Sequence, residues 1–180
     1  MLKQLDIADS VRRQLSPETT PEYKADLGQF LTPATVARFM ASMFPPSNKQ
    51  TCRLLDAGAG VGSLSCAFLD RWAEGGLGFD FESVEVTAYE LDDKLREHLQ
   101  RHLAAYPHVT SHIIAGDYIE KATANGRHDR GYTHVILNPP YKKMHSKSAQ
   151  RLALRSVGIE TVNLYSAFLA LAVGETTLGG

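Results

Sequence analysis

The chain has 180 residues, 19 Lys plus Arg against 20 Asp plus Glu, and 43% hydrophobic residues. That length suits one domain with a buried core, and the near-zero net charge excludes a basic wrapper of nucleic acid and an acidic disordered tail, though not a local basic face. Two cysteines, Cys52 and Cys66, are too few for a disulfide framework and are expected to be reduced and packed near the core.

In chain order, Leu5, Ala8, Val11 and Leu15 recur at helical spacing, so a helix is expected over residues 2–15. Pro17 and Pro21 mark a link. Thr32 then suits a helix cap with Pro33 at the first helical position, and that helix should run to about Phe44, burying Val36, Phe39, Met40 and Met43. Pro45 and Pro46 end it. From Arg53 onward, short apolar runs alternate with helical stretches. Strands are expected at Leu54-Leu55, 84–89, 109–115 and 133–137. Helices are expected from the glycine cluster through Trp72, over 92–105 with a stripe of Leu91, Leu95, Leu99 and Leu103, and over 162–173. Strands separated by helices imply an α/β fold: a parallel sheet with helices on both faces. The apolar run at 167–173 is far short of the ~20 residues of a membrane span, and Met1 to Asp6 lacks the apolar stretch of a signal peptide. A soluble, cytoplasmic protein without membrane contact is expected.

Asp56-Ala57-Gly58-Ala59-Gly60-Val61-Gly62 lies between an expected strand and an expected helix, where a doubly wound sheet meets its ligand. The position that holds the third glycine of a dinucleotide fingerprint is Ser63 here, and a carboxylate, Asp56, precedes the loop. A carboxylate at a strand tip repels a pyrophosphate and attracts a cation, which suits S-adenosylmethionine with its ammonium and sulfonium. Glu90 ends the second strand, where an acid can accept from both ribose hydroxyls. Asp117 ends the third and could accept from an adenine amino group, with Tyr118 lining the adenine slot. Either acid alone also suits a helix cap; three acids at three successive strand tips match the order in which a nucleoside would meet them.

Asn138-Pro139-Pro140-Tyr141 follows the fourth strand. Two prolines make a stiff turn without N–H groups, so it presents carbonyls beside an aromatic ring. Such a corner suits an amine conjugated to a ring. Acceptance of both N–H groups, by the Asn138 side-chain oxygen and the Pro139 carbonyl, favours a pyramidal nitrogen whose lone pair points at a methyl donor. Tyr141 would stack on the target base, which must leave a duplex to reach it. Lys142, Lys143, Lys147, Arg151 and Arg155 follow with no acid between them. Four of the five repeat every four residues, so a helix would array them on one face to track phosphates; an ordinary solvated face is the alternative. His98, His102, His108 and His112 lack the companions of a zinc site, so no metal is expected.

With these motifs the chain resembles the gamma-type N6-adenine DNA methyltransferases of restriction–modification systems, within the class I S-adenosylmethionine-dependent methyltransferase fold. The subtype rests on Gly28-Gln29-Phe30-Leu31-Thr32-Pro33, which matches the family's first motif. The resemblance implies a Rossmann-like sheet, with 1–28 a helical lead-in and 29–180 the catalytic core of one domain. It implies cofactor contacts from Phe30, Thr32, Asp56, Gly58, Gly60, Glu90 and Asp117, and catalysis by Asn138, Pro139 and Tyr141. DNA is the implied partner and adenine N6 the implied acceptor. Protein glutamine, RNA or cytosine N4 are alternative acceptors, and a non-catalytic cofactor- or DNA-binding subunit that needs a partner is another reading. Asn163 to Leu169 resembles the family's next helix. The family would turn into a fifth strand where this sequence stops, so a fragment without a target-recognition domain is expected. The exposed sheet edge would then be covered by a second copy, a partner or the tail.

Overall fold

The computed structural model describes residues 3–18, 31–47, 49–75, 79–124 and 130–177. Four strands, β1 (Thr51–Ala57), β2 (Ser83–Glu90), β3 (Val109–Ala115) and β4 (His134–Val135), pair in parallel in the order β3-β2-β1-β4. Successive residues point to opposite faces, so each central strand feeds two cores. Cys52, Leu54, Val84 and Val86 enter one; Leu55, Ala57 and Tyr89 enter the other. Cys52 and Cys66 are both free and buried.

The first core is closed by α1 (Gln4–Glu18), α2 (Ala34–Ser42), α3 (Ser63–Glu74) and α4 (Asp93–Leu103). The second is closed by α5 (Tyr118–Thr123), α6 (Ala149–Ser156) and α7 (Leu164–Gly174). Side-chain caps mark several helix starts. Asp92 accepts from the amides of Lys94 and Leu95, Asp117 from Glu120, Ser148 from Arg151 and Asn163 from Ser166. Among the described residues, no helix is long and apolar enough to cross a membrane.

Several expectations are corrected. Thr32 does not cap α2. The helix starts one residue after Pro33, and the Ala34 amide donates instead to Asp9 of α1, at 3.0 Å. α2 also faces the other way. Ala34, Ala37 and Ala41 are buried while Val36, Phe39 and Met43 are exposed, because small side chains let α2 approach α1 and α3 closely. Leu91 precedes the α4 cap and is exposed, whereas Leu95, Leu99 and Leu103 form the buried stripe. β4 is only two residues long; its ladder continues to the Ile136 amide, which donates to the Leu55 carbonyl at 3.0 Å, and is then cut short before the two prolines. The outer edge of β4 is partly met within the chain. The Tyr132 amide donates to the Glu175 carbonyl and the Thr177 amide donates to the Tyr132 carbonyl, placing Thr176 in a parallel bridge with Tyr132.

Candidate active site

The carboxyl ends of all four strands open on one crevice, where ligands of open α/β sheets bind. Its floor is the glycine loop after β1. The amides of Gly58 and Ala59 both donate to the Tyr89 carbonyl at 2.9 Å, and the Gly60 amide donates to Glu90 Oε2 at 2.7 Å. Gly60 has φ 59°, and a Cβ there would come within 2.7 Å of Leu31 Cδ2, so any side chain would fill the gap between the loop and the opposite wall.

Glu90 is buried at the tip of β2, and its second oxygen accepts from the Asp92 amide at 2.8 Å. Asp117 at the tip of β3 caps α5 through Oδ1, and its Oδ2 accepts from Gln150 Nε2 at 2.6 Å. Leu31, Leu91, Leu164, Phe168 and the Tyr118 ring supply apolar walls. The Tyr118 hydroxyl donates to Glu175 Oε2 at 2.7 Å, and the Arg130 guanidinium lies 2.7 Å from the other Glu175 oxygen. Burial raises the Tyr118 pKa, and the adjacent Glu175 charge adds to the effect. Acids for hydroxyl and amino donors between apolar walls fit an adenosine-like ligand.

Asp56 is corrected: it does not line this crevice. It is fully buried beneath the loop, where its Oδ2 accepts from the Ser65 hydroxyl at 2.6 Å and the Ser65 amide at 3.2 Å. Burial pushes its pKa up to about 7; the bonds from Ser65 oppose the shift and the charge of Glu90 adds to it. Asp56 therefore ties α3 to the tip of β1. His102 is also buried. Its Nδ1 lies 2.7 Å from the Val61 carbonyl oxygen, so it braces the same loop.

The 138–141 turn forms the partition between this crevice and a second cavity, an open groove of about 730 Å³. Asn138 lines both, Pro140 lines the crevice, and Pro139 and Tyr141 line the groove. Asn138 Nδ2 donates to the Thr32 hydroxyl at 3.2 Å, and Thr32 also lines both cavities. The bond joins the wall that carries Thr32 to the 138–141 turn. Tyr141 is 61% exposed, and its ring stacks on Tyr165, with centroids 5.6 Å apart and planes 23° apart.

The basic stripe is not one helical face. α6 begins only at Ala149, so Lys143 and Lys147 lie ahead of it and do not continue the row of Arg151 and Arg155. Both arginines are engaged by Glu160, at 2.5 Å and 2.6 Å. Lys142, Lys143 and Lys147 are exposed. Phe30 lies outside the described residues, as do Gly28 and Gln29. Gln150, Ser65 and Tyr165 were not anticipated. The only advance signal was the parity of Tyr165 against Leu164 and Phe168 on α7, which puts it on a different side of the helix.

No family model matches the chain. The chain is 39% identical to the Type II methyltransferase M.BsuBI of Bacillus subtilis over 100% of its own length and 37% of that protein. It is 33% identical to the Type II methyltransferase M.PstI of Providencia stuartii over 97% of its length and 36% of that protein. It therefore spans little more than a third of the curated relatives it matches. A class I S-adenosylmethionine-dependent methyltransferase structure from Listeria monocytogenes superposes with a TM-score of 0.71 at 14% identity, covering 99% of this chain and 52% of that one. The fold is that of the class I S-adenosylmethionine-dependent methyltransferases. By sequence the chain is similar, over nearly its whole length, to Type II methyltransferases.

Proposed function

We propose that this chain forms the cofactor-binding and catalytic domain of a DNA methyltransferase that modifies the exocyclic N6 of adenine, in restriction–modification or phage defence. The position of Asn138, lining both the crevice at the strand tips and the open groove, carries the reading. S-adenosylmethionine, when bound, supplies an electrophilic methyl group on a sulfonium.

Glu90 accepts from the ribose hydroxyls, Asp117 from the adenine amino group of the cofactor, and Leu31, Leu91, Tyr118 and Phe168 wall its apolar parts. Gly58 and Gly60 let the loop approach closely, and Thr32 closes the methionyl end. From the other side, an unstacked base enters the groove at Tyr141, where base–aromatic stacking is worth ~1–3 kcal/mol. Asn138 Oδ1 and the Pro139 carbonyl accept from the two N–H groups of the target amine. These fixed dipoles favour the pyramidal nitrogen of the transition state over the planar ground state. The bond to Thr32 restrains the Asn138 side chain at the partition. Lys142, Lys143 and Lys147 meet phosphates beside the groove. DNA as substrate implies action in the cytoplasm, and a second copy or a partner subunit is the protein partner proposed along the β4 edge.

The test is calorimetric titration of S-adenosylmethionine followed by tritium transfer to unmethylated DNA, with RNA and a glutamine peptide in parallel. Asn138→Ala is expected to abolish transfer and leave cofactor affinity within about threefold, since the residue meets the amine; Asp117→Ala should weaken the cofactor. Loss of cofactor binding in Asn138→Ala overturns the assignment.

A further inference from the structure

We propose that Tyr165 is a substrate-positioning residue: it holds the Tyr141 ring as a preset plate for the unstacked base. The inference rests on the reading of the groove as the path of the target base.

α7 separates the two cavities. Leu164 and Phe168 face the crevice, whereas Tyr165 and Leu169 face the groove. The segment after the catalytic turn runs antiparallel to the segment entering α7. Lys143 pairs with Asn163, the Leu164 amide donates to the Lys142 carbonyl at 2.9 Å, and the Met144 amide donates to the Val162 carbonyl at 2.8 Å. Tyr165 follows two residues after Asn163, in the first turn of α7, so this pairing brings it beside Tyr141, where the two rings stack.

Stacking on Tyr165 favours one rotamer of the exposed Tyr141 ring before the base arrives and lowers the ordering cost of capture. The 5.6 Å spacing leaves no room for a base between the rings, since stacked bases lie about 3.4 Å apart. The base therefore takes the face of Tyr141 turned away from Tyr165. Tyr165 itself touches neither base nor cofactor.

The experiment uses the full chain saturated with S-adenosylhomocysteine and a short single-stranded oligonucleotide with 2-aminopurine as its only purine. Stacking quenches the fluorescence of that base. The wild type is expected to quench it. Tyr165→Ala should weaken binding about tenfold and lose most of the quench, and Tyr165→Phe, which keeps the ring, should restore both to within about twofold. Cofactor affinity and melting temperature should be unchanged in both variants, because Tyr165 is 43% exposed and does not line the crevice.

Equal or stronger quenching in Tyr165→Ala overturns the proposal and makes the ring a bystander or a competitor. Failure of Tyr165→Phe to restore binding, or loss of cofactor affinity in Tyr165→Ala, overturns it in favour of a structural role. Absence of quenching in the wild type, with cofactor still bound, overturns the groove reading itself and the proposal with it.

Discussion

The Gly60 amide donates to the Glu90 carboxylate across thirty positions of sequence, at 2.7 Å in a buried setting. The acid proposed to receive the ribose thus also holds the loop proposed to receive the methionyl end. Its other oxygen accepts from the Asp92 amide. Glu90→Gln preserves size but offers only one acceptor oxygen, so one of the two amides loses its partner. A buried unpaired amide costs ~1–3 kcal/mol. The melting temperature should fall, and calorimetry should show cofactor affinity reduced by about tenfold or more. An unchanged melting temperature would separate Glu90 from loop support.

Two buried groups make opposite demands on pH. His134 sits among the rings of Phe44, Phe68, Phe79 and Phe81, and burial lowers its pKa to about 4, with the charge of Lys49 adding to the shift. Its unfolded form takes a proton near pH 6.5, so its contribution to stability falls as pH drops from about 6.5 to about 4. Asp56 has its pKa raised to about 7 against about 3.8 unfolded. Its contribution is fully present below 3.8 and is lost as pH rises through 7. The two slopes oppose each other between pH 4 and 6.5. Denaturant titrations over that interval should show a shallow profile for the wild type. Asp56→Asn, which keeps an acceptor for Ser65, should lose stability more steeply toward acid, and His134→Phe should gain it.

The two faces of α2 should tolerate opposite changes. Phe39→Lys and Met43→Lys alter exposed positions and should move the melting temperature by little. Ala37→Leu and Ala41→Leu push extra methylenes into a packed helix contact, which typically costs ~1–3 kcal/mol. Melting curves of the four variants check the orientation directly.

Glu160 neutralises Arg151 and Arg155, and the two guanidiniums hold its carboxyl down at about 2 by hydrogen bonds and charge. Glu160→Gln should release positive charge on α6. Fluorescence anisotropy is expected to show DNA binding strengthened several-fold at low salt, with a steeper salt dependence and little gain at high salt. A salt slope equal to wild type would remove the arginines from the DNA-facing surface.

The placement of Glu90 and Asp117 on the crevice was legible because the tips of parallel strands open there, and β1, β2 and β3 could be traced from apolar runs alone. The face of α2 was misread because alanine weighs little in an apolar pattern, yet a close helix contact selects for it. Asp56 was misdirected for a related reason. Strand alternation puts it on the same side as Cys52 and Leu54, beneath α3, and the motif drew attention to its position along the strand and not to its parity. The basic repeat failed because regular spacing does not start a helix, whereas Ser148, with its hydroxyl accepting from the Arg151 amide, does. Gln150 and Tyr165 depend on pairings between distant segments that no local pattern announces.

The bond between Thr32 and Asn138 belongs to the partition shared by both cavities. Occupancy on one side is expected to bias the geometry met on the other. By thermodynamic reciprocity, whatever cooperativity the methyl donor confers on nucleic-acid capture is returned in equal measure to the donor. A single hydrogen bond thereby gives the two sites a link that acts equally in both directions.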